Sequence, residues 1–426
     1  MKAGAGKAEI VLADSYLELE DFAVIHRTLN ARALVLESED TAVLLSLELT
    51  SLPEEEVQNL KEAIAERFKL KKDLIWVCVT HTFSAPHFLP DFRLKGPEQL
   101  ALKEKFREEV TGAAMKAVSK AFRALQPAKA GFGIGFCEVN RNRDVELEDG
   151  WWIGEEGMGL TDRQVCVLRF DSMEDRTIAF LFHYAVQSSV MDGSRLGAGG
   201  KAVTPDLAGI ASDFVEKKDE QGETVALFLL GAAGDQAPVE RAVKETFVQG
   251  ERIRKDKQEE GFGICERLGS QLGETVWRIQ EKIRCEEESR SLEFGKIFFR
   301  VPGKEMEREL AKLHPVKAME YIPQGEKSVQ VEVIKLGELA LVGVKPELNC
   351  ATATAIRCCS PFNRTLVCTM VNGAEKYMAD RDSYDRFTYE AMNSPFGKGA
   401  AEILTRQALG LLESMDRQQE KERNQV

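Results

Sequence analysis

Residues 74–87 read LIWVCVTHTFSAPH. The run from Leu74 to Val79 is unbroken, apolar, and rich in β-branched and aromatic side chains, as a strand buried on both faces requires. It stops at Thr80, and small, polar and proline residues follow, the composition of a loop lining a pocket. Upstream, PEEEVQNLKEAIAERF (53–68) opens with a proline and three glutamates and continues with apolar residues at helical spacing. Before it stands another apolar run, TAVLLSLEL (41–49), and after the loop a long helical stretch from about Pro97 to Leu125. Strand, helix, strand and helix at this spacing predict an α/β layer.

The middle of the chain repeats the scheme. VCVLRFD (165–171) and TIAFLFHYAV (177–186) read as a hairpin across SMEDR. Residues 205–217 read as a helix and VALFLLGAAGD (225–235) as a buried strand ending in small residues. The charged stretch 239–283 reads as mostly helical. Strands are predicted at 329–335, 338–345 and 365–371, then a closing helix from Lys398 to Met415, with the polar segment 416–426 frayed. There is no internal repeat, low-complexity linker or sharp composition shift. The expectation is α/β: one domain over 1–415, a mixed β-sheet core flanked by helices.

Apolar residues make up 43% of the 426, enough for a substantial core, and charged residues 30%. Lys plus Arg is 57 and Asp plus Glu is 70, a net charge of −13 that argues against a nucleic-acid partner. No apolar run approaches the roughly 20 residues of a transmembrane helix, and the first residues lack a signal-peptide pattern. The nine cysteines are odd in number, include no C-x-x-C, and several lie in strand-like runs. Reduced, mostly buried thiols in a cytoplasmic protein fit this better than a disulfide framework. The adjacent pair Cys358–Cys359 is expected to serve packing.

Familiar catalytic signatures fail. GFGIG (131–135) lacks the last glycine of a dinucleotide fingerprint, and GSRLGAGGK (193–201) lacks the phosphate-loop spacing. Neither G-x-S-x-G nor H-E-x-x-H occurs. Of the five histidines (26, 81, 87, 183, 314), His81 and His183 end strongly apolar strands, where α/β folds gather functional groups. Taken alone, a strand-end histidine is more often structural than a ligand.

VTHTFSAPH (79–87) resembles the T-H-T-H-S-G-P loop of the neutral/alkaline ceramidase family. Further likenesses follow in the family's order. IHRTLNARALVL (25–36) resembles H-T-R-L-Y-A-R-A, and VNRNRD (139–144) resembles I-N-R-S-P. IAFLFHYAVQSSVM (178–191) is similar to a strand ending in F-A-x-H-P, and LGAAGDQAP (230–238) to N-x-G-D-V-S-P. VGVKPELN (342–349) resembles V-x-P-G-E-F-T, and residues 370–397 the family's long tyrosine-rich run. The resemblance implies the catalytic domain of that family, with its C-terminal β-sandwich lacking.

The resemblance also implies a zinc ion held by His81, His183, Glu347 and Tyr377, activating water to cleave a linear amide. The substrate would be a lipid-like or other N-acyl small molecule. Tyr389 and Arg141 match family residues that contact the scissile amide, one for the oxyanion and one for the substrate's polar end. Without the family, Glu347 reads as a helix N-terminal acid, Tyr377 as core or rim, and Arg141 as a solvated loop charge. Asp235 matches the acid of the G-D motif and either orients a pocket group or caps a helix.

Two departures bear on activity. The family's second loop histidine, its natural proton shuttle, is Phe83 here, and a serine after G-D-V is Ala237. His87, in the same loop, is the nearest substitute for the shuttle and otherwise a surface residue. Three functions follow: a zinc amidase, a catalytically impaired metal- and ligand-binding homologue, or a zinc hydrolase of esters or other amides.

Overall fold

The computed structural model describes residues 1–423 except 221, 249–250, 287–291 and 308–311. Its centre is an eight-stranded mixed sheet. In spatial order the strands are Val225–Leu230, Thr177–Tyr184, Gln164–Ser172, Gln126–Phe136, Lys2–Ile10, Leu29–Glu37, Thr41–Leu47 and Ile75–Val79. Both terminal pairs of strands run parallel, and the pairs between them antiparallel. A second sheet of four strands, Leu292–Lys304, Pro323–Leu336, Leu339–Gly343 and Arg364–Cys368, lies against it.

Alternation along the strands builds four layers. Val77, Val79, Phe180, Phe182, Tyr184 and Phe228 face a core shared with the helices Glu54–Phe68, Gly96–Arg123, Asp206–Lys218 and Glu260–Gln280. Their neighbours Trp76, Cys78, Leu181, Leu227 and Leu229 face the second sheet, meeting Leu341, Leu366 and Cys368. The far side of the second sheet packs on the helices Cys350–Cys359 and Ala400–Arg423 through Val331, Val342, Ile356, Leu404 and Leu412. Strands buried on both faces explain why the sequence shows continuous apolar runs there.

The GFGIG stretch is a packing seat. A Cβ at Gly133 would stand 2.7 Å from the Ile279 side chain, so its bare backbone lets the helix Glu260–Gln280 lie close. The stretch 239–283 differs from its helical reading. Val243–Val248 and Glu251–Asp256 pair as an antiparallel ribbon before that helix begins, and the alternation in VKETFV and ERIRKD is the local reason.

The closing helix runs through the polar segment to Arg423, and 424–426 lie outside the described residues. Cys358 and Cys359 are exposed rather than packed. Among the described residues no cysteine is bonded to another, and no helix is long and apolar enough to cross a membrane.

Candidate functional site

The loop after strand Ile75–Val79 continues the sheet's bonding without its regularity. Thr80 and Thr82 donate their amides to Leu47 and Leu49, and Phe83 donates to the Ser188 carbonyl. Between them His81 takes a left-handed backbone, φ 56°, uncommon outside glycine and met where a side chain must be aimed. Its imidazole is buried. Nδ1 lies 2.7 Å from the Thr50 carbonyl, an acceptor only, so Nδ1 donates a hydrogen to it, whatever Nε2 carries. Nε2 faces Glu347 Oε2 at 3.0 Å.

Glu347 is brought there by a two-residue parallel ladder with Tyr377, its amide bonded to the Lys376 carbonyl at 2.8 Å. Burial alone would raise its pKa. His81, the Arg143 guanidinium and the Gln187 amide outweigh that and hold the carboxylate below its ordinary range. The same oxygen, Oε2, accepts from Gln187 Nε2 at 2.9 Å.

Arg143 completes the cluster. It donates from one end to Gln187 Oε1 at 2.8 Å and from the other to Glu390 Oε1, also at 2.8 Å. Its guanidinium lies 5.4 Å from the Tyr377 ring centre and 5.6 Å from that of Tyr389. Glu390 and the neighbouring Asp144 each keep one buried oxygen without a donor. Burial and the neighbouring Glu390 carboxylate push Asp144 well above the usual range.

The expected site residues divide. His81, Glu347 and Tyr377 come together, with Tyr389 beside Tyr377 at 5.8 Å between ring centres. His183 does not join them. Strand alternation turns it into the layer between the sheets, where Nε2 meets the Val367 carbonyl at 2.9 Å and burial lowers its pKa. The residue that reaches the cluster is Gln187. The stretch YAVQ (184–187) keeps the aromatic, alanine and spacing of F-A-x-H, with glutamine in the histidine's place, which was the available signal.

Arg141 points outward with Glu155 as its nearest carboxylate, 3.8 Å away, and Arg143 takes the inner position. The ladder with Gly150–Glu156 slips between Asn142 and Asp144, and such an irregularity re-aims a side chain against simple alternation. The N-R-N-R run offered both arginines, and only this slip distinguishes them. His87 is half-exposed and bonds Glu20 through Nδ1 at 2.7 Å and through its amide at 2.6 Å. The Phe83 and His81 rings meet edge to face, centres 4.6 Å apart, and Ala237 is buried opposite Arg141.

Asp235 caps a helix. Oδ1 accepts the Cys350 amide at 2.8 Å, at the start of Cys350–Cys359, and its carbonyl accepts the Arg143 amide. Burial pushes its carboxyl up to about 7. An unfolded aspartate titrates near 3.9, so the folded state holds the proton more tightly. That contribution is full below about pH 4 and disappears as pH rises through about 7. Stability is expected to fall by up to about 4 kcal/mol between pH 4 and 8 from this residue. Urea titrations of the protein and of Asp235→Asn, whose neutral amide mimics the protonated carboxyl, should agree most closely near pH 4 and separate as pH rises, with the aspartate the less stable of the two. Parallel pH profiles for the two would contradict it.

The donor set does not fit a resident catalytic zinc. Such sites use three protein ligands, mostly imidazole, carboxylate or thiolate. Here one imidazole and one carboxylate are left. Both ends of the Gln187 amide are committed, to Glu347 and Arg143, and burial keeps the Tyr377 phenol protonated. Among the described residues no three His, Cys, Asp or Glu side chains converge as a metal site.

The fold is that of solved ceramidases. The structure of the neutral ceramidase from Pseudomonas aeruginosa superposes with a TM-score of 0.74 at 17% identity, over 98% of this chain and 74% of that one. A ceramidase complexed with C2 superposes with a TM-score of 0.74 at 16% identity, over 98% and 75%. No family model and no curated protein matches the sequence.

Proposed function

We propose that this protein binds a linear amide, an N-acyl small molecule, on a neutral-ceramidase scaffold whose metal-dependent hydrolysis it has lost. The observation that supports this is Gln187. It stands where the ceramidase pattern has a histidine, and its amide bridges Glu347 and Arg143. Phe83 removes the proton shuttle from the loop that carries His81.

Enough polar chemistry remains to hold an amide. The Tyr389 hydroxyl accepts from Asn393 at 3.1 Å and keeps its own hydrogen to donate to a carbonyl. Burial raises its pKa, so that hydrogen stays in place. Arg143 fixes the two tyrosine rings from one side.

A second reading, the zinc amidase, is favoured by His81. Its Nδ1 hydrogen is held by a backbone carbonyl, the arrangement that prepares Nε2 to ligate metal. Elemental analysis after zinc loading and desalting, with amine release from an N-acyl amide panel, separates the two. The proposal expects far less than one zinc per chain, saturable binding of some amides, and no amine. A stoichiometric zinc with amine release would establish the amidase instead.

A further inference from the structure

Tyr389 forms one wall of a cleft of about 420 Å³, which Trp152, Leu313, Asp192 and Arg241 also line. Two other arginines of the cleft are engaged: Arg252 bonds Glu245, and Arg254 bonds the Gly193 carbonyl. Arg241 is not. It is half-buried, and among the described residues its guanidinium makes no hydrogen bond or ion pair. Asp192, also half-buried, is the opposite charge it feels most, yet the two form no ion pair.

A guanidinium drawn partly out of water with its donors unused is costly unless a partner arrives. Burial already lowers the pKa of Arg241 and raises that of Asp192, so neither neighbour fully compensates the other. The donor fork of an arginine matches a carboxylate in two parallel hydrogen bonds. Trp152 and Leu313 offer apolar surface to a hydrocarbon chain, and Tyr389 joins the cleft to the cluster around Arg143.

We infer that the cleft selects amides carrying a carboxylate beside the amide nitrogen, that is N-acyl amino acids, with Arg241 as the carboxylate's partner. This rests on the cluster being an amide-binding site. Tyr389, Arg241 and Asp192 line the same cleft, so one such ligand would set its amide carbonyl at Tyr389, its carboxylate at Arg241 and its amide N–H at Asp192.

The test is calorimetry on the full chain with N-octanoylglycine and N-octanoylglycinamide, which differ only in the carboxylate. The acid is expected to bind at least about ten-fold tighter, a charge-assisted pair's worth. Arg241→Gln should bring the acid down to the neutral compound's affinity. Its melting temperature should stay within about 4 °C of the unaltered protein's, because Arg241 makes no hydrogen bond or ion pair that the fold would lose. Equal binding of acid and amide overturns the inference and leaves the amide site standing. Binding of neither compound overturns both. A preference that survives Arg241→Gln, or a failure of that variant to fold cooperatively, assigns Arg241 another role and also overturns it.

Discussion

Gln187→His is expected to raise zinc affinity by about two orders of magnitude or more. Four-ligand zinc sites are worth roughly 10–16 kcal/mol, so restoring one strong donor beside His81 and Glu347 contributes on the order of 3 kcal/mol. Gln187 Nε2 already lies 2.9 Å from Glu347 Oε2, so an imidazole there is close to the carboxylate it must share a metal with. Zinc titration of the variant reads the effect directly, without any assay of turnover. Adding Phe83→His should then bring amine release from an N-acyl amide, since a positioned acid–base group is worth about 10²–10⁴-fold. A variant with no better zinc affinity than the parent would mean that the absent histidine is not what keeps metal out.

The second large effect concerns stability. Arg143→Met should cost about 3–5 kcal/mol, because it strands Glu390, whose side chain is fully buried. Gln187 and the ring faces of Tyr377 and Tyr389 lose their partner as well. Arg143→Met with Glu390→Gln should recover a large part of the loss, because no uncompensated charge remains. Denaturant unfolding of the two variants checks this. A single variant as stable as the parent would show that Arg143 is not the counter-charge described.

The sequence spoke clearly where burial is two-sided. Runs such as LIWVCV and VALFLL have no polar alternation to misread, and the helices Glu54–Phe68 and Gly96–Arg123 fall where spacing and prolines put them. It spoke poorly where a single step of register decides. His183 and Gln187 are four residues apart, one inside the sheet and one past its end, and a histidine at a strand end drew attention away from a glutamine. Arg141 and Arg143 share a composition and differ by a slip in the ladder, which depends on a partner strand and not on local residues. Arg241 was invisible for another reason: what distinguishes it is a partner it lacks, and that appears only in three dimensions.

The layered arrangement also sets a problem for the chain during synthesis. The whole eight-stranded sheet is encoded before residue 231, while the sheet that covers its outer face starts at Leu292. Until those later strands emerge, Leu34, Leu44, Trp76, Leu181 and Leu227 belong to a broad apolar surface with nothing of this chain to cover it. Nascent chains stalled short of the second sheet are therefore the species that chaperones would be expected to guard, and the ones to clump when that protection is withdrawn.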